Sequence, residues 1–127
     1  VAFEGSSSYF QGGTVAYQRE AKETQLGIDS TLLDQYGMVS AECAKAMAEQ
    51  ARLHYQSDLG ISFTGVAGPS EMEGKEVGTI FVALASQTEV EVLELHLART
   101  RNDNREFAVQ YGWNLLRKYL LKQVRTK

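Results

Sequence analysis

Cysteine is almost missing from this chain, and the single Cys43 excludes an internal disulfide, which fits a reducing, cytosolic setting. Cys43 is expected to be a small buried hydrophobe rather than a nucleophile. Histidine is nearly as scarce. His54 is expected at a helix end and His96 in a charged strand, so neither a Ser-His-Asp triad nor a two-histidine metal site has support, and no Cys/His ligand spacing exists. An excess of positive charge is also lacking: 13 Lys and Arg stand against 16 Asp and Glu, for a net charge of −3. That balance leaves no electrostatic footprint for a nucleic-acid backbone. The longest purely apolar run, Ile80 to Ala85, is far too short to span a bilayer, and a start with Glu4 and three serines is no signal peptide. The chain is thus expected to be cytoplasmic, with neither nucleic acid nor a membrane as partner. Gly65-x-x-Gly68 lacks the further glycine and the following helix of a dinucleotide fingerprint, and no Walker sequence or internal repeat is present.

What is there is enough for one domain. With 127 residues, 43% of them hydrophobic, the chain can bury its own core but leaves no room for a second full domain. A strand is expected at about Thr14 to Tyr17, and a helix from Gln18 to Leu26 with Gly27 suited to end it. Asp29 and Ser30 can each cap a short helix through Tyr36, stopped by Gly37. Ser40 opens a longer helix whose Ala44, Met47, Ala48 and Ala51 fall at helical spacing, small enough for close approach to a sheet. Leu59 to Phe63 reads as a short strand, and Thr79 to Ala85 as a continuous apolar one. Gln87-Thr88 turns the chain into Val90 to Leu97, so the two arms form an antiparallel hairpin whose second arm has a wet face or lies at an edge. Asp103-Asn104-Arg105-Glu106 resembles a capping box for a final helix, with Ala108, Tyr111, Leu115 and Tyr119 on one side and a basic end that suits the helix dipole. The order of elements predicts an α/β fold, three-layer α/β/α with a mixed sheet.

Two stretches carry possible chemistry. Thr64-Gly65-Val66-Ala67-Gly68-Pro69 places a hydroxyl and two glycines directly after an apolar run, a common place for a ligand, although most such turns are only turns. The glycines let backbone N–H groups approach an anion, and Pro69 makes the exit rigid. Gly12-Gly13-Thr14-Val15-Ala16-Tyr17-Gln18-Arg19-Glu20-Ala21-Lys22 repeats the same grammar, with Tyr17 and Lys22 following the strand. A serine hydroxyl is a poor nucleophile until a base takes its proton, and a lysine whose pKa is lowered from about 10.4 can do so. A lone lysine on a short helix is otherwise a solvated one.

These segments, together with Val39-Ser40 and Val77-Gly78-Thr79-Ile80, occur in an order that resembles the CinA C-terminal domain family, from about Phe3 to Leu116. That family includes bacterial nicotinamide-nucleotide amidases. The resemblance implies a single domain over 1–127 that hydrolyses the carboxamide of nicotinamide mononucleotide to the acid and ammonia through a serine acyl-enzyme, with no metal or organic cofactor. Lys22 would then be the general base, with Tyr17 in Tyr-x-x-x-x-Lys as its auxiliary hydroxyl. Thr64 would contact base or substrate, or alternatively only cap the strand end. Gly13, Gly65 and Gly68 are implied for substrate or oxyanion binding. Arg105, in Asn-Asp-Asn-Arg-Glu where the family has Gly-Asp-Arg-Glu, would meet a substrate phosphate or else pair with Glu106 or Asp103.

Departures from the pattern bear on activity. The family nucleophile is the serine of a Ser-x-Thr-Gly-Gly motif on an N-terminal helix. That motif is absent from these residues, and Ser6, Ser7 and Ser8 do not match it. The resemblance implies that Val1 stands just after it, so that this chain lacks the helix and is inactive by itself. In Pro69-Ser70-Glu71-Met72-Glu73-Gly74-Lys75-Glu76 this chain has Ser70 and Glu76 where the family has a more glycine-rich loop and a proline before Val-Gly, and added carboxylates repel a phosphate. The alternative function is a non-catalytic module of a competence-associated protein, binding a nucleotide or a partner without turnover. Without the helix, part of one sheet face would be uncovered, and a homo-oligomer is expected. Val92, Leu93 and Leu95 offer an edge for self-pairing, but Glu89, Glu91 and Glu94 oppose it, which favours a sheet-face or helical contact.

Overall fold

The computed structural model of the chain describes residues 26–66, 74–76, 78–97 and 101–125, and in the last of these not the side chains at 101, 102, 105 and 125. The strand and helix expected between Thr14 and Leu26 fall almost wholly outside the described residues, and so does most of the loop after Val66.

Helix α1 spans Ser30–Tyr36. Asp29 caps it, its carboxylate accepting from the Thr31 backbone N–H at 2.9 Å, and Gly37 closes it at a φ of 87° that a side chain would resist. Helix α2 spans Ala41–His54. The Ser40 hydroxyl accepts from the Cys43 N–H at 3.0 Å and donates to the Gly37 carbonyl at 3.0 Å, so a single side chain starts α2 and ties it to the end of α1. Cys43, Ala44, Met47 and Ala48 form the buried stripe of α2, and Ala51 is half-buried.

Three strands follow: β1 (Gly60–Gly65), β2 (Thr79–Ala85) and β3 (Val90–His96), in the order β1-β2-β3. Both pairings are antiparallel, with Phe63 opposite Val82 and Val82 opposite Leu93. The described sheet is therefore antiparallel throughout. A mixed sheet would need the strand at 14–17, which lies outside the described residues. The hairpin turn is held by Ser86, whose hydroxyl accepts from the Glu89 N–H at 3.1 Å and the Thr88 N–H at 3.3 Å. Helix α3 spans Arg101–Arg125.

The layers follow from period-two alternation. Phe81, Ala83 and Ala85 face α2 and form one core with Val39, Ala44, Ala48 and Val66. Val82 and Leu84 face the other way, against Leu115 of α3 and the half-buried Ile80, Leu93, Leu95 and Tyr119. Leu26, Ile28 and Leu33 close a third cluster over Cys43 and Met47. The result is α/β, with helices on both faces of the sheet.

The sequence reading needs correction at several places. β1 does not stop at Phe63: Thr64 and Gly65 continue the ladder opposite Phe81 and Ile80. A Cβ on Gly65 would meet the Thr79 carbonyl and Ile80 Cγ1 at 2.8 Å, so this glycine serves close strand approach and not a loop. α3 begins at Arg101, which puts Asp103 inside the first turn, where its charge suits the helix dipole, and not at the cap. Tyr111 is exposed. The buried line of α3 runs through Asn104, Ala108, Gly112 and Leu115 instead. Gly112 lies under the sheet because a Cβ there would meet Phe63 Cζ at 2.8 Å and Ile61 Cδ1 at 3.1 Å.

Candidate functional site

The end of β1, the start of β2 and the end of β3 meet at one edge of the sheet. Val66 donates to the Thr79 carbonyl at 2.9 Å, Gly78 donates to the Val66 carbonyl at 2.9 Å, and Leu97 donates to the Gly78 carbonyl at 2.9 Å. Gly78 holds a φ of 92°, and a Cβ there would collide with the Leu97 carbonyl, so only glycine joins these three strand ends. The N-terminus of α2 reaches the same edge. Thr64, only 7% exposed, turns its hydroxyl inward and donates to the Met38 carbonyl at 2.8 Å, two residues before the Ser40 cap. One pleat earlier, the Ser62 hydroxyl donates to the Ala44 carbonyl of α2 at 2.6 Å. Two hydroxyls on the same face of β1 thus fasten the sheet to α2 and to the junction between α1 and α2.

Of the residues singled out from the sequence, the structure positions Thr64 and Gly65 together at this edge. Thr64 has committed its proton to Met38, which makes it an anchor and leaves its oxygen as an acceptor. The N–H groups of Val66 and Gly78 are both used within the sheet. Lys22, Tyr17, Gly13 and Gly68 lie outside the described residues. The backbone of Arg105 is the fifth residue of α3, not the second of a helix, and its side chain is not among those described.

Elsewhere, Cys43 is fully buried. His54 stacks edge-on against Tyr55 with ring centroids 4.9 Å apart, and the exposed His96 Nε2 sits 3.4 Å from Glu94 Oε2. Among the described residues no cluster of three or more His, Cys, Asp and Glu could hold a metal ion, and no helix is long and apolar enough to cross a membrane. An open cavity of about 290 Å³ lies at the opposite end of the sheet between Arg52 of α2 and the hairpin turn. Glu49, Arg52 and Glu89 line it, Glu89 being paired with Lys122 at 3.4 Å, and none of the sequence-selected site residues does.

The sequence reading missed Ser62 and Met38. Ser62 and Thr64 stand two apart on a strand, and that period alone places both hydroxyls on one face. Met38 has no such signal, because a main-chain acceptor can be any residue type.

Comparison with known proteins extends this picture. A competence-damage inducible protein of Streptococcus pneumoniae is 48% identical over 120 residues, which is 94% of this chain and 29% of that protein. The chain therefore spans less than a third of the length of this relative. Among solved structures, a CinA superfamily protein from Enterobacter cloacae superposes with a TM-score of 0.89 at 29% identity, covering 94% of this chain and 71% of the other. The competence damage-inducible protein A of Klebsiella pneumoniae gives 0.90 at 25% identity, covering 94% and 75%. The model of the CinA C-terminal domain matches residues 1–120, and the chain belongs to the CinA C-terminal domain family.

Proposed function

We propose that this chain is the greater part of an amide-hydrolysing domain that acts on the carboxamide of nicotinamide mononucleotide in a longer protein carrying the serine motif. The observation that carries the reading is the meeting of the carboxyl end of β1 with the N-terminus of α2 at Thr64 and Met38, in a chain of the CinA C-terminal domain family. A helix N-terminus beside a strand end favours a phosphate. Lys22, as the neutral amine, takes the serine proton while the serine oxygen attacks the carboxamide carbon. Ammonia leaves with a proton, and water then releases the acid from the acyl-enzyme. Tyr17 orients Lys22. Thr64, held by Met38, presents an oxygen lone pair. Gly13 and Gly68 allow backbone approach, and Arg105 meets the phosphate.

A second reading is a nucleotide- or partner-binding module without turnover. Its support is the proton of Thr64, already given to Met38. Ammonia release from nicotinamide mononucleotide separates the two. The amidase reading expects release from a chain that includes an upstream Ser-x-Thr-Gly-Gly and none from the 127 residues alone. Nucleotide binding without release in both would favour the module.

A further inference from the structure

Ser62, Thr64 and Thr79 turn their side chains to the face of the sheet that meets α2, and only the first two give a proton to the fold. Ser62 donates to the Ala44 carbonyl and Thr64 to the Met38 carbonyl. Thr79 opens β2 with the parity of Phe81, Ala83 and Ala85, which places it on their face. It is 3% exposed, and among the described residues its hydroxyl makes no hydrogen bond. A buried hydroxyl in that position has lost water and gained nothing, and it calls for a partner that the fold does not supply.

Thr79 lies at the edge where the three strand ends meet, between Val66 of β1 and its cross-strand partner His96 of β3. The main-chain donors there are consumed. Val66 gives its N–H to the Thr79 carbonyl, Gly78 to Val66, Leu97 to Gly78, and Thr79 itself to the Glu76 carbonyl at 3.1 Å. Among the described residues of this edge the Thr79 O–H is thus the donor left for a ligand. On β3, His96 Nε2 and Glu94 Oε2 stand 3.4 Å apart and add no net positive charge, so the donor suits an uncharged acceptor better than a phosphate. We infer that Thr79 is a further catalytic residue, whose hydroxyl meets the oxygen of the substrate carboxamide and holds it as it becomes anionic. This rests on the amidase reading. As the serine oxygen bonds the carboxamide carbon, the π pair of the C=O bond moves onto that oxygen, and it returns when the C–N bond breaks and ammonia leaves. A donor fixed in advance by the sheet stabilises the oxygen between the two steps, and Thr79 keeps its own proton throughout.

The experiment compares wild type, Thr79→Val and Thr79→Ser in a chain extended upstream to include Ser-x-Thr-Gly-Gly, by thermal melts and by ammonia release from nicotinamide mononucleotide. Valine keeps the shape and removes the O–H. The midpoint of Thr79→Val is expected at or above that of wild type, because no bond within the fold is lost. Its kcat is expected to fall about 10²-fold, with Thr79→Ser retaining most of the activity. A structural hydroxyl would give the reverse, a lower midpoint and an unchanged kcat. A lowered midpoint in Thr79→Val would overturn the inference, showing that the fold or a buried water uses the proton, and so would a kcat equal to that of wild type. If the extended wild type binds nicotinamide mononucleotide without releasing ammonia, the amidase reading fails by itself. The contact at Thr79 then stands if Thr79→Val weakens that binding severalfold, and equal affinities would overturn it. No binding by the extended wild type would overturn both.

Discussion

The hydroxyl of Thr64 donates to the carbonyl of Met38 at 2.8 Å, joining the end of the β1 ladder to the chain two residues before the Ser40 cap of α2. A side chain that ordinary reasoning assigns to a substrate is also a strut between sheet and helix. Thr64→Val keeps the shape and removes the donor of this bond. Unfolding free energy in urea should fall by about 1–2 kcal/mol, with Thr64→Ser recovering most of it. Equal midpoints for wild type and Thr64→Val would show that the bond contributes nothing.

Gly60 and Gly112 look alike in sequence and should respond oppositely to alanine. At Gly60 a Cβ would collide with the Ala48 carbonyl of α2, a main-chain atom fixed by its helix. Gly60→Ala should cost about 1–3 kcal/mol as α2 is forced off the sheet. At Gly112 the nearest atom is Cζ of Phe63, the end of a partly exposed ring that can swing. Helix propensity returns about 1 kcal/mol there, so Gly112→Ala should be close to neutral. Thermal melts of the two variants side by side check the order, and a larger loss at Gly112 would reverse it.

Cys43 is fully buried under Leu33 and Met47, and its reactivity should report global opening. A thiol-specific reagent should leave the native chain unmodified and label it at a rate that follows the fraction unfolded in urea. Rapid stoichiometric labelling without denaturant would contradict this packing.

Local signals account for most of the fold that could be read in advance. β2 was legible to the residue because it is an unbroken apolar run, and α1 and α2 because Asp29 and Ser40 are cap residues that act through their own neighbours. Gly65 was misleading. A glycine after an apolar run suggests a turn, but here its missing Cβ admits Ile80, a strand that lies well along the chain. Tyr111 and Gly112 show the same limit, since hydrophobicity favours the tyrosine at the sheet while the structure sets Gly112 against the ring of Phe63. At the site, the types of residue were legible and their partners were not. Nothing local in Thr64 points to the main chain of Met38, because that contact exists only once β1 lies across the junction between α1 and α2.

Steady-state release of ammonia from nicotinamide mononucleotide, by a chain extended upstream to include Ser-x-Thr-Gly-Gly, tests the central functional claim most directly when wild type and Lys22→Ala are compared. A positioned general base contributes about 10²–10⁴-fold. The account predicts a fall in kcat of that size for Lys22→Ala, with circular dichroism and thermal midpoint unchanged. Ammonia release that persists undiminished in Lys22→Ala, or none from the extended wild type, would contradict it.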